Sequence, residues 1–519
     1  MKILNKRPIV LFAVVMITAV LVLLYHNSFV LRTVLLCASG LGALVGLLIW
    51  LLHKNKTCKD IFSRIFIVSL AILFSVASVF TVQKLFERDY KEYNGYAIVS
   101  GRVAEVGEYT NTSQRPIILD NVTISATEFS KELYGKTRLV VLCDGSREDI
   151  FTVGSTLIAN AKVGFSSFYF VGEYGLTFNY AAKNITCSGY ASEANIEIVD
   201  KELSLNLSDK VKHKVEEIVS KSLDSEYQGL ALGMLFGDKT TLDAEIAQDF
   251  SMVGIAHLLA VSGLHVGFLL AILLFICKIC KLKGVPKFII ISALLVFYAY
   301  LCGFSTSVVR ATIMCICMLY AGCRNKRYDS LNALAISAII NILVNPVGLT
   351  TVGFRLSYMA VLSIILLAKP LTKLFSKVFK PKMANTIATM LAVQVGTCGV
   401  LISAFKNITL VAIVANFVCI PVASFAYMVL FATICISLIL PFANIVIYLF
   451  QFIMQIVVKF VHLLSGVKQV LFSSWQGVAI TYASIPAMYL SSNYLFISKK
   501  VKSIVCIVLW AVITALLLI

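Results

Sequence analysis

The chain has 519 residues, of which 59% are hydrophobic and only 14% charged, with a formal net charge of +18. That balance excludes a soluble globular protein, because runs of about 20 apolar residues, the length that crosses a hydrocarbon core, recur throughout. The charge is uneven: 21 of the 27 acidic residues lie between Lys84 and Glu226, and no carboxylate follows Asp329. A cation excess in the membrane part suits an anionic partner, and it equally follows from the bias of cytoplasmic loops towards Lys and Arg.

Three spans come first, at 9–25, 29–52 and 65–83. The first follows Lys2, Lys6 and Arg7 and has no small-residue cleavage site behind it, so it is expected to be an anchor and not a leader. Gly42 and Gly46 in the second have the small-xxx-small spacing that permits close helix packing. Basic clusters at 2–7, 53–64, 278–287, 324–327, 369–382 and 499–502 alternate with apolar runs so that all can face the cytoplasm. The acidic segment 84–226 is then extracytoplasmic.

Within that segment the pattern changes to short alternating strands at 97–106, 117–126, 138–143, 156–163, 176–180 and 195–199. Their number and length suit a small β-barrel of the OB-like kind. The aromatic stretch Phe165, Phe168, Tyr169, Phe170, Tyr174, Phe178 and Tyr180 has two readings: base stacking on such a barrel, or core and interface anchoring. Cys143 and Cys187 are the two cysteines of this segment. A disulfide between them is expected to staple the barrel, the alternative being two free thiols. Residues 208–223 follow, with Val211, Val215, Ile218, Val219 and Leu223 in one apolar stripe, and predict an amphipathic helix on the outer membrane surface.

Beyond it Gly233, Gly237 and Gly254 interrupt apolar runs too short to span, and Asp238, Asp243, Glu245 and Asp249 lie beside them. Short glycine-broken segments are what a re-entrant loop requires; a plain outer loop is the competing reading. His257, Ser262, Gly263 and His265 then open a span that runs to Cys280. Titratable groups at the mouth of an apolar span mark a functional pathway, unless the Ser-Gly pair only kinks the helix and the histidines snorkel. Arg310 and Arg355 lie in apolar surroundings with almost no carboxylate to pair with, so each is expected to face a lumen or backbone carbonyls. Gln394, Asn416, Asn332, Asn341 and Asn345 add neutral hydrogen-bonding groups, as lumen lining or as interhelical glue. Together the segments predict a polytopic α-helical membrane protein of about 10–12 spans, with a re-entrant segment as one option and an extracytoplasmic OB-like β domain. The expected domains are 1–83 (transmembrane helices), 84–200 (β domain), 201–226 (interfacial helix) and 227–519 (transmembrane channel).

Several ordered motifs carry a family resemblance. They are Leu235-Phe236-Gly237-Asp238-Lys239, then Gly254-Ile255-Ala256-His257, then Ala260-Val261-Ser262-Gly263-Leu264-His265-Val266. Gly303 to Ala311, with Arg310 before Ala311, comes next, followed by Asp329 to Ala333, Asn345-Pro346 and Gly353-Phe354-Arg355-Leu356-Ser357-Tyr358. Ala415-Asn416 and Pro421 complete the series. This order resembles the competence domain of the bacterial ComEC/Rec2 DNA-internalisation channel family, and the N-terminal spans and outer barrel resemble that family's first region. Two departures stand out. Arg355 occupies a position where the family usually has Gln, and the six histidines include no His-x-His-x-Asp-His metal motif of the kind that many members carry in a C-terminal metallo-β-lactamase-like domain.

The resemblance implies a multi-pass protein of the bacterial cytoplasmic membrane that passes single-stranded DNA during natural transformation. It implies no catalytic residue, cofactor or metal in this chain. The expected partners are single-stranded DNA, membrane lipid, an outer DNA receptor, a separate nuclease, and a cytoplasmic DNA motor or single-strand-binding proteins. His257, Ser262, Gly263, His265, Arg310, Arg355, Gln394 and Asn416 are the expected substrate path. A transporter of another anionic polymer or solute, and a metal-dependent membrane hydrolase using His257, His265 and Asp249, are the alternatives.

Overall fold

The computed structural model describes residues 7–25, 29–52, 56–90, 92–107, 114–127, 129–143, 151, 153–165, 181–200, 207–238, 241–259, 261–408, 411–437, 446–467, 470–471 and 474–491. The predicted strand 176–180, most of the aromatic stretch (Phe168 to Tyr180) and the basic cluster 499–502 lie outside these residues.

The first two spans form α1 (Pro8–Tyr25) and α2 (Phe29–Leu52), and the third lies in the middle of a 34-residue helix, α3 (Lys56–Asp89). A Cβ on Gly42 would meet the Ser69 side chain, so the small residue serves close packing of α2 on α3 within the chain. Ser78 on α3 donates to the Ile342 carbonyl at 2.8 Å, tying this bundle to the second membrane block.

At Asp89 the helix hands over to the β domain. Strands β1 (Asn94–Val106), β2 (Gln114–Ala126), β4 (Lys136–Leu142), β5 (Thr156–Phe165) and β6 (Ile185–Ser192) close in the order β1-β2-β4-β6-β5 and back to β1. The β4–β6 pair is parallel and the others in the ring are antiparallel, which is the OB arrangement. Strand β1 pairs on both edges, and its ladder with β2 is irregular after Ser100, where the extra residue is on β2, and after Val103, where it is on β1; such bulges increase the local twist. Two short strands, β3 (Phe129–Glu132) and β7 (Ile196–Asp200), hang off the ring. Inside it Val99, Val103, Ile117, Leu119, Leu139, Leu157 and Val163 are fully buried.

Strand β6 was not legible in the sequence. Its residues Ile185 to Gly189 are all buried, so the alternation that marks a half-exposed strand is missing. The expected Cys143–Cys187 disulfide is not formed; both thiols are free. The ladder gives the reason. Cys187 is paired with Thr137, whereas Cys143 lies six positions further along the same neighbouring strand. At a rise of about 3.3 Å per residue the two are roughly 20 Å apart, far beyond bridging distance. Burial pushes the Cys187 thiol up to about 12, so it stays protonated.

The joint between membrane and barrel is a buried carboxylate. Asp89, with no exposed surface, accepts from the Tyr134 N–H at 3.0 Å, the Gly135 N–H at 2.7 Å and the Thr186 hydroxyl at 2.8 Å. Lys131 donates to the Arg88 carbonyl at 2.6 Å, and the Arg88 guanidinium lies 3.4 Å over the Tyr134 ring. The barrel is also tied by Asn345 Nδ2, which donates to the Ala182 carbonyl at 2.6 Å, and by Arg102, which is bidentate on Asp120 and reaches Asp209 at 3.4 Å.

Asp209 belongs to α4 (Leu207–Ser222), the predicted amphipathic helix. Its stripe does not lie against lipid: Val215, Val219 and Leu223 are buried in a cluster with the helices that follow. Those are α5 (Ser225–Phe236), α6 (Ala244–Met252), α7 (Gly263–Ile279), α8 (Gly284–Leu301), α9 (Thr306–Cys323), α10 (Ser330–Val344), α11 (Val352–Phe375), α12 (Pro381–Phe405), α13 (Val411–Ser437), α14 (Ile447–Ser465) and α15 (Ser474–Ser491). Among the described residues seven helices are long and apolar enough to cross a membrane, and four shorter apolar helices accompany them. The chain is thus a multi-pass membrane protein carrying an OB-like barrel.

Two outcomes follow from the barrel. Asp89→Ala leaves three donors without an acceptor, and is expected to lower stability by roughly 3 kcal/mol and to raise proteolysis at the α3–barrel junction; thermal melts of the detergent-solubilised protein measure the first. After denaturation without reductant, Cys143 and Cys187 should both take up a maleimide label; protection of the pair would contradict the ladder.

Candidate functional site

The site begins with two helices too short to span. Helices α5 and α6 have 12 and 9 residues, roughly 18 and 14 Å, against a hydrocarbon core of about 30 Å. Gly237 ends α5 in the left-handed region at φ 81°, where its N–H bonds to the Gly233 carbonyl at 3.0 Å, and Gly254 has the same φ after α6. The chain between them folds back along α5 so closely that a Cβ on Gly229 would collide with the backbone of Thr241 and Leu242. Asp243 caps α6 by accepting from the Glu245 and Ile246 N–H groups. Asp238 is half-buried beside the loop and close to Glu216 of α4. Asp249 is engaged by His462 of α14, Nδ1 to Oδ2 at 2.6 Å, and so does not join His257 and His265.

His257 and His265 are close enough to interact electrostatically, but their situations differ. His257 is exposed, in a 3-10 turn (Ala256–Leu259) whose Leu258 and Leu259 are buried. His265 is 1% exposed and completes a capping box at the start of α7. The Ser262 hydroxyl accepts from Leu264 N–H at 3.3 Å, while His265 Nδ1 accepts from Ser262 N–H at 3.2 Å, the place a Glu or Gln usually takes. An Nδ1 that accepts carries no proton, so here His265 is a neutral cap. Its ring stacks on Tyr427 of α13 at 4.1 Å, and Tyr427 hydrogen-bonds Tyr298 of α8, which donates to the Leu235 carbonyl at 2.9 Å. These tyrosines, missed in the sequence, link α7 to the end of α5.

Arg310 occupies the point where three helices start. Ser307 of α9 donates to the Val261 carbonyl just before α7 at 3.1 Å. Gly353, in the first turn of α11, faces Thr306 of α9. Arg310 itself is 7% exposed and donates from a terminal nitrogen to the Ser357 carbonyl of α11. Gly263 makes the space: a Cβ there would sit 2.6 Å from the guanidinium. The guanidinium carbon lies 6.0 Å from the Tyr358 ring, which stacks on Phe354 and hydrogen-bonds Ser337 and Asn341 of α10. Among the described residues Arg310 has no carboxylate within ion-pair distance, and Arg310 Nε and Ser357 Oγ are buried without a partner.

The remaining expected path residues are not drawn into this cluster by any described contact. Arg355 is exposed in the first turn of α11, where the positive end of the helix dipole disfavours a cation. Gln394 is half-buried on α12, and Asn416 is half-buried on α13 with its side-chain oxygen buried and unpartnered. Asn341 and Asn345 act as glue, the first to Tyr358 and the second to Gly348 and the barrel.

The fold defines a multi-pass α-helical membrane protein that carries an OB-like barrel and buries a cation within its bundle. The family described as Competence protein matches residues 234–495. The chain belongs to that family, the ComEC/Rec2 competence proteins. It is 29% identical over 203 residues to ComE operon protein 3 of Bacillus subtilis, covering 39% of this chain and 26% of that protein. It is 25% identical over 261 residues to Recombination protein 2 of Haemophilus influenzae, covering 47% and 32%. An uncharacterized protein of Aquifex aeolicus is 32% identical over 161 residues, covering 30% and 37%. Each match thus spans well under half of the relative's own length. No solved structure matches the chain significantly.

His265→Gln keeps a side chain that can accept from Ser262 N–H, whereas His265→Ala does not. The alanine variant is expected to lose about 1 kcal/mol more stability than the glutamine one, read from thermal melts in detergent. Burial, reinforced by Asp238, holds the Glu216 carboxyl above its ordinary range. An acid raised in the folded state binds its proton more tightly there, so stability falls as pH rises through that raised value. Glu216→Gln should therefore flatten the pH dependence of the melt just above the ordinary carboxylate range.

Proposed function

We propose that this protein carries single-stranded DNA across the bacterial cytoplasmic membrane during natural transformation, with its barrel on the outer side. Membership of a competence family supports a role in DNA uptake. The observation that carries the finer reading is Arg310. A buried guanidinium that has no carboxylate beside it among the described residues, holding one carbonyl and an unpartnered Nε, leaves an uncompensated cation where three helix N-termini converge. A phosphodiester arriving there would satisfy the Nε, the Ser357 hydroxyl and the dipoles together.

A polyanion in transit must be offset without being trapped. A sparse path suits that. One buried arginine, the exposed Arg355 and His257, and the neutral Gln394 and Asn416 offer successive weak contacts in place of a dense cation row. The chain would receive its strand from an outer DNA receptor and a separate nuclease, and deliver it to a cytoplasmic motor or single-strand-binding proteins.

Uptake of labelled transforming DNA in a deletion strain complemented with wild type, Arg310→Gln or Arg310→Lys tests the reading. Loss of a charged contact to each passing phosphate should cut strand delivery roughly 10- to 100-fold in Arg310→Gln at equal membrane level, with partial retention in Arg310→Lys. Unchanged delivery in the deletion or in Arg310→Gln overturns it, and Arg310-dependent uptake of a different anionic polymer with DNA excluded would reassign the cargo.

A further inference from the structure

The outward face of the barrel carries a row of three side chains set by register. Tyr96 of β1 pairs with Lys162 of β5, and Lys162 pairs with Tyr190 of β6. Residues directly opposite one another on adjacent strands point to the same side, so the three form one Tyr–Lys–Tyr line across three strands. Their inward neighbours Ala97, Ala161, Val163 and Ala191 are core, whereas Tyr96 is 70% and Tyr190 43% exposed and Lys162 is exposed too. The row opens on a groove of about 450 Å³ that Asn160, Ser192 and Asn195 also line.

We propose that this groove is a docking site for single-stranded DNA, in which two splayed bases stack on Tyr96 and Tyr190 and the phosphodiester joining them lies over Lys162. The proposal rests on the DNA-transport reading above and adds an outer contact to it. Two aromatic π-faces with one cation between them match two bases and the charge that links them. The backbones that carry the rings are two strand spacings apart, roughly 9.5 Å, well beyond the roughly 3.4 Å rise of a duplex strand, so the fit is to unstacked bases. Asn160, Ser192 and Asn195 supply donors and acceptors for base or sugar edges.

The row lies across β1, β5 and β6, away from the second barrel strand, which barrels of this type commonly use for oligonucleotides. The segment 84–226 is net acidic, which leaves stacking as the main source of affinity and keeps the site weak enough to release its strand onward. The row stands clear of the membrane joint: Tyr190 is four residues beyond Thr186 along β6, roughly 13 Å from the Asp89 junction.

The test uses the full chain in nanodiscs with a fluorescent oligothymidylate, read by anisotropy. Tyr96→Ala and Tyr190→Ala should each bind about tenfold more weakly, while Tyr96→Phe and Tyr190→Phe, which keep the ring, stay within about twofold of wild type. Lys162→Gln should reduce the slope of log affinity against log salt by about 0.7, the loss of a single phosphate contact. Far-UV melts check that the outward-facing variants keep the barrel. Wild-type affinity in both alanine variants overturns the proposal, as does absence of oligothymidylate binding to wild type. So does loss of binding to a cell-wall glycan fragment alone, which would make the groove a glycan site. Arg310→Gln, measured alongside, separates the two ideas. Weakened binding in the tyrosine variants with normal uptake in Arg310→Gln removes the membrane path and keeps the groove; the reverse pattern removes only the groove.

Discussion

A guanidinium inside an apolar bundle has to be met by something other than water, and the second membrane block is arranged around that demand. Arg310 can sit where it does because Gly263 has no side chain, because α11 begins close enough to offer the Ser357 carbonyl, and because Tyr358 turns a ring towards it. Each of those neighbours is positioned in turn. Ser262 and His265 lock the first turn of α7, Ser307 straps α9 to the residue before it, and Thr351 caps α11. The starts of α7 and α9 are tied by the Ser307–Val261 hydrogen bond, and α9 is tied to α11 by the one from Arg310 to the Ser357 carbonyl.

The barrel joint shows what a buried charge looks like when its role is structural. Asp89 is saturated, with three donors on two oxygens, and the strands on either side of it are welded to α3. Arg310 is treated differently: it has one carbonyl, an unpartnered Nε and an unpartnered hydroxyl beside it. A buried polar group left short of partners costs free energy. The two buried groups thus differ in how far their hydrogen-bonding capacity is met within the protein.

Much of this was legible beforehand. The apolar runs, the acid-rich insert, the strand pattern of β1, β2, β4 and β5 and the isolated Arg310 all follow from local composition and periodicity. Strand β6 was not, because burial on both faces erases alternation, and the Cys143–Cys187 bridge was wrongly expected because spacing says nothing about ladder position. The stripe of α4 was placed on lipid; an amphipathic face looks the same whether lipid or protein covers it, and here α5, α13 and α14 do. His265 looked like a site residue, yet its imidazole does the work of a capping Glu.

The sequence by itself determined that the chain crosses a membrane many times, carries a small β insert and buries arginine where few acids are available, since hydropathy, alternation and charge are additive along a chain. Only the tertiary structure decided which carbonyl Arg310 holds, that Asp249 belongs to His462, and that Tyr96, Lys162 and Tyr190 stand in one row. Those residues are between 28 and 213 positions apart. Their meeting depends on strand register, helix ends and glycine-sized gaps, quantities that no window of local sequence contains.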